Sequence, residues 1–312
     1  MAGCCGYLPE RVMYNSELEE IVDTSHDWIV QRTGIHKRHI AEEQSALELA
    51  MIASQGAIEK SKLIPELIIV ATTTPDLTFP AMSVILQSKL GFSSARVPAF
   101  DIQAVCSGFI YGLHIASAFI NNGTYKNALV VGVDKMSNVI DWSDRNTCVL
   151  FGDGAGAAVL TSSYEDNSYI IDSIIYSDGD YSTSLRTSYG LNKGGKYGVI
   201  EMDGKNVFKH AVAKMVEVSN EILNKNNVSV SEVDYFVPHQ ANQRIIQAVS
   251  DALGINKTKV VSTVADHANC SAGSVPLALS FLQESGKLKS GDVILLVAFG
   301  AGFAWGAVLL KW

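Results

Sequence analysis

VPAFDIQAVCSGFIYGLHIASAFI, residues 97–120, turns a corner between two kinds of structure. VPAFDI is apolar and strand-like, whereas SGFIYGLHIASAFI is apolar on nearly every side of a helical projection. A helix with no polar face is one enclosed by other elements. A buried strand feeding a buried helix is the building unit of an α/β fold. The thiol of Cys106 stands at the corner itself.

The pattern continues on either side. Leu67–Ala71, Ala128–Val133, Asp234–Val237 and Val293–Phe299 read as buried strands. Ala81–Leu90, Ser107–Asn121, Val207–Asn224, Gln243–Leu253 and Val275–Glu284 read as helices. Fully apolar strands alternating with helices imply sheets covered on both faces. The order also repeats. LIIVATTTP, LQSKLGF, VPAFDIQAVCSGF and ALVVGVD are answered by VDYFVPHQ, VSDALGI, VVSTVADHANCSAGS and VILLVAFGAG. Gly91 and Cys106 are 15 residues apart, and Gly254 and Cys270 are 16 apart, so Cys270 is expected to be the counterpart of Cys106. The polar stretch TSSYEDNSY, within 161–175, would join the halves, giving domains 1–164 and 165–312. Residues from both halves would then meet at one interface.

Composition bounds the function. The 312 residues are 47% hydrophobic and 18% charged, enough apolar mass for a substantial core. A net charge of −8 argues against a general nucleic-acid binder, which needs a broad basic face. Met1–Pro9 lacks the basic-then-apolar order of a signal peptide. Val293–Leu310 carries no charge over eighteen residues, but Gly300, Gly302 and Gly306 interrupt it. Two strands joined by a glycine turn explain it better than a membrane span. A soluble, cytoplasmic protein with no membrane contact is expected. Five irregularly spaced cysteines fit reduced thiols and offer no metal-ligand spacing.

Three residues carry the chemistry. At a helix start the free N–H groups and the dipole would stabilise a Cys106 thiolate. His239 ends a strand in DYFVPHQAN, and Asn269 lies in VADHANCSAGS, the second-half counterpart of the Cys106 corner. A thiol, an imidazole and an amide at strand ends can perform acyl transfer. Cys4, Cys5 and Cys148 read as packing residues, and so does His114. His26, His36 and His39 lie in a charged stretch and read as solvated. GDGAGA at 152–157 lacks the GK[ST] of a phosphate loop and reads as tight packing.

On these residues the chain resembles the thiolase-like condensing enzymes, and among them the β-ketoacyl-acyl carrier protein synthase III family. DTSHDWIVQRTGIHKRHIA, ATTTPDLTFPA, AFDIQAVCSGF, DRNTCVLFGDGAGA, MDGKNVF, VPHQANQRI, HANCSAGSVPLAL and AFGAGFAWGA occur in order over almost the whole length. The resemblance implies a thiolase-like fold, two similar mixed-sheet halves packed as an α-β-α-β-α sandwich. It implies Cys106 as acyl-carrying nucleophile in a triad with His239 and Asn269, and an oxyanion hole from the backbone of Cys106 and Ala301. Acetyl-CoA would prime the cysteine, and malonyl-acyl carrier protein would extend it by decarboxylative Claisen condensation. Coenzyme A enters as a thioester substrate, with no metal or other cofactor. Thr24, Trp28, Arg32 and Arg145 would hold its nucleotide end, the adenine lying between Trp28 and Arg145. Gly204, Phe208 and Asn242 would line the pantetheine channel. Phe79 would cap the acyl pocket of the partner in a homodimer. Lys205, Lys209 and Arg244 would dock the acyl carrier protein.

The chain departs from that family in places. Only Met1–Cys5 precede the GYLP turn, where the family has a strand, and 42–45 and 63–66 are short. Cys270 replaces a threonine and would bring a second thiol near the site. Asp251 and Ala252 stand where relatives have basic residues. Two rival functions compete: a papain-like hydrolase, whose C-G-[SA]-C-[WY] signature is absent, and a catalytically silent acyl-binding module.

Overall fold

A computed structural model describes residues 1–162, 168–190 and 198–312. The domain boundary expected at 164/165 lies outside these residues. The strands of the first half are β1 (Gly3–Tyr7), β2 (Val12–Tyr14), β3 (Lys37–His39), β4 (Ile68–Ala71), β5 (Ala99–Ile102), β6 (Asn127–Asp134) and β7 (Gly154–Thr161). Those of the second are β8 (Tyr169–Ser177), β9 (Leu185–Thr187), β10 (Ile200–Met202), β11 (Tyr235–Pro238), β12 (Val293–Gly300) and β13 (Ala304–Lys311). The first half carries helices α1 (Asn15–Glu19), α2 (His26–Thr33), α3 (Ala46–Ser61), α4 (Met82–Lys89) and α5 (Gly108–Asn121). The second carries α6 (Gly204–Lys225), α7 (Gln243–Leu253), α8 (Val264–His267) and α9 (Ser274–Glu284).

One mixed sheet runs β1-β7-β6-β4-β5, and a second runs β11-β12-β13-β8. Parallel pairing joins β4 to β5 and β6 in the first and β11 to β12 in the second; the other pairs are antiparallel. The second sheet therefore repeats the first with one strand fewer. Where a counterpart of β5 would stand, a single parallel bridge joins Val260 to Phe236. β12 and β13 are the hairpin expected across Gly302, its register running from Val293 opposite Lys311 to Gly300 opposite Ala304.

The layers follow from which faces are apolar. Phe109, Ile110, Leu113 and Ala116 of α5 and Val275, Ala278, Leu279 and Leu282 of α9 form one core with strands of both sheets. The α3 face of the first sheet closes around Leu49, Ala50, Ala53 and Ala57. Met215, Val218 and Ile222 of α6 close the outer face of the second with Ile245 and Val249 of α7. The result is α-β-α-β-α, with α5 and α9 in the middle. Close approach of α5 to the first sheet depends on Gly112, where a Cβ would fall 2.7 Å from Val130 Cγ1.

Three expectations change. Met1–Cys5 do not leave the N-terminal strand missing: β1 pairs with β7 from Gly3 opposite Val159 to Tyr7 opposite Ala155. The joining segment is shorter than 161–175, because Tyr169–Ser177 is the edge strand β8. The repeat is also displaced at its second corner, as the site geometry shows.

Candidate active site

The corner after β5 is built on a left-handed residue. Val105 has φ +47°, starting a short 3₁₀ turn (Val105–Ser107) before α5 begins at Gly108. The turn is anchored by Ser107 Oγ, which donates to the Ala304 carbonyl at 2.8 Å. β12 ends against it. A Cβ on Gly300 would lie 2.9 Å from Cys106 N and 3.2 Å from Cys106 Cβ, so only glycine lets the Gly300–Ala301 turn come this close.

Cys106 is buried, and burial pushes its thiol up to about 12. The Ser271 hydroxyl works against that rise, and the Asp134 carboxylate adds to it. The thiolate expected at a helix start is therefore corrected to a resting thiol. The reason is burial: packed at the corner, a charge there loses most of its water, while α5 begins only two residues later.

His239 follows the last residue of β11, and its N–H donates to the Val297 carbonyl at 2.7 Å. Its Nδ1 lies 2.6 Å from Ser274 Oγ. Burial lowers the ring to about 3, so it is neutral at physiological pH. Asn269 is held between first-half carbonyl and amide groups. Its N–H donates to the Leu150 carbonyl at 3.0 Å, and its carbonyl accepts from Gly152 N at 3.1 Å. Its side-chain Oδ1 accepts from Ser271 N at 2.9 Å, which leaves the Nδ2 donors to face other groups.

The second corner mirrors the first in backbone rather than in residue type. Ser271 has φ +47° and opens a 3₁₀ turn (Ser271–Gly273) ahead of α9. Val105 thus matches Ser271, and Cys106 matches Ala272. The expected pairing of Cys106 with Cys270 is out by two residues. Cys270 Sγ contacts the His267 carbonyl at 3.3 Å, and a Cβ on Gly154 would meet that sulfur at 3.2 Å. This thiol is packed away from the cavities rather than into them.

Two cavities meet at Cys106. One, of about 630 Å³, is lined by Cys106, His239 and Asn269 and leads past Phe208 and Asn242 to Trp28 and Arg32. Gly204, Lys205 and Arg244 also stand on its wall. The other, of about 650 Å³, lies beyond Cys106 and includes Met136, Val139, Leu185, Ile200 and Ala301. Among the described residues the first wall does not include Thr24, Arg145 or Lys209. Thr24 Oγ1 is buried without a partner. Arg145 instead covers the indole: its guanidinium carbon is 4.6 Å from the Trp28 ring centroid, and that of Arg32 is 4.7 Å away. Arg145 is held there by donating to the Asp23 carbonyl at 2.8 Å. Lys209 is exposed one turn along α6 from Lys205. The Arg244 guanidinium lies 6.0 Å from the Phe208 ring, on the neighbouring α7. Phe79 is 82% exposed and is on the wall of neither of these two cavities. Among the described residues no cluster of three or more His, Cys, Asp or Glu is placed to hold a metal ion.

Sequence reasoning missed Ser274 and Ser271, which touch the imidazole and the amide. Their only signal is the spacing in NCSAGS, which places two hydroxyls on the turn after Asn269. It also missed Asp134, whose carboxylate accepts from the hydroxyls of Thr72, Thr73 and Thr74 and from Ala272 N, tying the second corner to the end of β4.

Comparison with known proteins agrees with this geometry. Residues 100–179 match the family described as 3-oxoacyl-[acyl-carrier-protein] synthase III, and residues 223–312 match its C-terminal region. The chain is 49% identical to the β-ketoacyl-[acyl-carrier-protein] synthase III of Rickettsia bellii, over 99% of this chain and 98% of that one. The crystal structure of 3-oxoacyl-[acyl-carrier-protein] synthase III from Aquifex aeolicus superposes with a TM-score of 0.94 at 46% identity, covering 100% and 99%. The priming β-ketosynthase of the R1128 polyketide pathway superposes at 0.93 with 35% identity, covering 99% and 95%. Both the sheet order and the length of the match leave one placement: the chain belongs to the β-ketoacyl-[acyl-carrier-protein] synthase III family, acyltransferases that carry out the initiating condensation of fatty acid synthesis.

Proposed function

We propose that this chain joins acetyl-CoA and malonyl-acyl carrier protein into acetoacetyl-acyl carrier protein, CO2 and CoA, with Cys106 as the acylated residue. What carries the reading is the meeting of a thiol, a neutral imidazole and an oriented amide on one cavity wall, with a second cavity beyond the sulfur. The Cys106 sulfur attacks the thioester carbonyl, and its proton ends on the departing CoA sulfur. Backbone N–H groups of Cys106 and Ala301 hold the tetrahedral oxyanion. Malonyl-acyl carrier protein then loses CO2, leaving a thioester enolate. His239 and Asn269 donate to the enolate oxygen. Its carbon attacks the acetyl carbonyl, and the released Cys106 thiolate takes up one proton. No step calls on a metal or a redox group.

The 630 Å³ cavity suits a pantetheine arm passing Phe208, Asn242 and Gly204, with Arg32 supporting the nucleotide end on its wall and Thr24 from behind it. Adenine stacks on Trp28, for which Arg145 must leave the indole face it now covers. Lys205, Lys209 and Arg244 receive the carrier protein at the same mouth. The protein works as a cytoplasmic homodimer in which Leu77, Phe79 and Val84, all exposed and apolar, are covered by the partner. Five unpaired cysteines suit a reducing compartment.

A second reading keeps the chemistry and changes the primer or acceptor, as the likeness to a polyketide priming enzyme allows. One experiment separates the readings. Incubation with acetyl-CoA adds one acetyl group, mapped by peptide mass spectrometry to Cys106, and malonyl-acyl carrier protein then yields acetoacetyl product. His239→Ala and Asn269→Ala still acquire acetyl but lose about 10²–10³ in condensation, the effect of removing one oxyanion donor. Label on Cys148 or Cys270, or a hydrolysed product, overturns the assignment.

A further inference from the structure

A neutral imidazole has one N–H and one bare nitrogen, and which is which is decided by the partner of the nitrogen away from the reaction. For His239 that partner is Ser274, the first residue of α9. Both groups are buried, Ser274 at 2% exposure and His239 at 3%, so water does not arbitrate between the tautomers.

The hydroxyl's own proton count settles the direction. Ser274 Oγ has two hydrogen-bonding neighbours among the described residues, Gln240 N at 3.4 Å and His239 Nδ1 at 2.6 Å. Gln240 N–H donates only. If Nδ1 also carried a proton, the Ser274 hydroxyl would accept twice and its own proton would be buried without an acceptor, which is costly. With Nδ1 bare, every group is satisfied. The loop that carries His239 is fixed as well. Gln240 Nε2 donates to the carbonyls of Pro238 at 2.6 Å and Val261 at 3.2 Å, and its Oε1 accepts from Thr263 N at 2.8 Å. The ring lines the cavity with Nδ1 turned to Ser274, so Nε2 is the nitrogen that a bound molecule meets.

We propose that Ser274 is a positioning residue, whose hydroxyl donates to His239 Nδ1 and thereby places the ring's proton on Nε2, facing the cavity. The same turn treats Asn269 alike. Ser271 N–H occupies Asn269 Oδ1, so the amide also shows the cavity its donors. Two hydrogen bonds from Ser271–Ser274 set the donor polarity of both side chains. This deepens the proposed function, since a donor on Nε2 is what an enolate oxygen needs.

The test pairs nitrogen-15 spectroscopy with kinetics on the full chain. In the wild type, the His239 ring, identified by its loss in His239→Ala, shows an unprotonated Nδ1 and a protonated Nε2. In Ser274→Ala the tautomers mix. Decarboxylation of malonyl-acyl carrier protein and condensation fall about 10- to 100-fold, below the full loss of a donor. Acetyl transfer to Cys106 falls less than threefold. A protonated Nδ1 in the wild type overturns the proposal whatever the variant does, and an unchanged ring and rate in Ser274→Ala overturn it equally. A wild type that carries the Nε2 proton but does not condense refutes the proposed function and leaves the tautomer assignment standing.

Discussion

Gly300→Ala tests whether the thiol corner and the end of β12 work as one device. The added methyl would sit 2.9 Å from Cys106 N, 3.2 Å from Cys106 Cβ and 3.2 Å from Ser107 N, all atoms of the corner rather than tips of flexible side chains. Ordinary contact begins near 3.4 Å, so something must move by about half an ångström. The corner is anchored by Ser107 to Ala304, and β12 is paired through Gly300 opposite Ala304, so the displacement falls on the spacing between the two N–H donors. A misplacement of about 1 Å costs roughly 10² in rate, so half of that predicts a loss of about tenfold. Overpacking adds about 1–3 kcal/mol of instability. Rapid-quench acetylation followed by mass spectrometry, alongside steady-state condensation, reads both half-reactions. Both should fall together, because an oxyanion forms at Cys106 in each, whereas His239→Ala spares the first. Gly190→Ala, which meets no atom of the described residues within 4 Å, is the control. A folded Gly300→Ala protein that acetylates at the wild-type rate refutes the oxyanion role of this turn.

Two further outcomes follow from the electrostatics. With the Cys106 thiol near 12, its alkylation by iodoacetamide should rise about tenfold per pH unit from 7 to 9.5 without levelling, and His239, near 3, should add no inflection between 5 and 9; a plateau below pH 9 refutes the resting thiol. Arg145→Glu should raise KM for acetyl-CoA several-fold, and Arg244→Glu should raise KM for malonyl-acyl carrier protein in a salt-dependent way; equal damage to both substrates by both variants refutes separate docking of nucleotide and carrier.

Elements enclosed on all sides were legible in the sequence because enclosure leaves nowhere for polar residues. β12, β6 and α5 lie within a residue or two of their expected limits, and the amphipathic α7, legible by its one apolar stripe, is observed at Gln243–Leu253 as read. β7 was not read as a strand because its residues are small. They are small on account of α9: a Cβ on Gly156 would fall 2.6 Å from Pro276 Cβ. β8 is an edge strand that begins where the polar stretch 161–169 ends, and its pairing with β13 comes from distant sequence. Cys106, His239 and Asn269 stood out because each ends a recognisable run. Their supports did not, since a serine at φ +47° has no signature in residue type, and matching Cys-Ser to Cys-Ser put the repeat two residues out of step. Burial strong enough to keep the thiol protonated is a property of the closed corner, not of the helix start that pointed to it.

The placement of Cys106 between two cavities sets the order of traffic through the proposed enzyme. In the proposed reaction a pantetheine arm from either donor would reach the sulfur through the 630 Å³ passage, while the acyl group it delivers would park on the far side. The two donors cannot be aboard at once. Spent CoA must vacate the passage before the carrier protein can insert its own arm, so free CoA is a competitor of malonyl-acyl carrier protein as well as a product. The chain length of the primer is read in a different chamber from the one that reads its carrier. Selection for a new primer can therefore reshape Met136, Val139 and Ile200, which line the far chamber alone, without disturbing how either thioester is admitted.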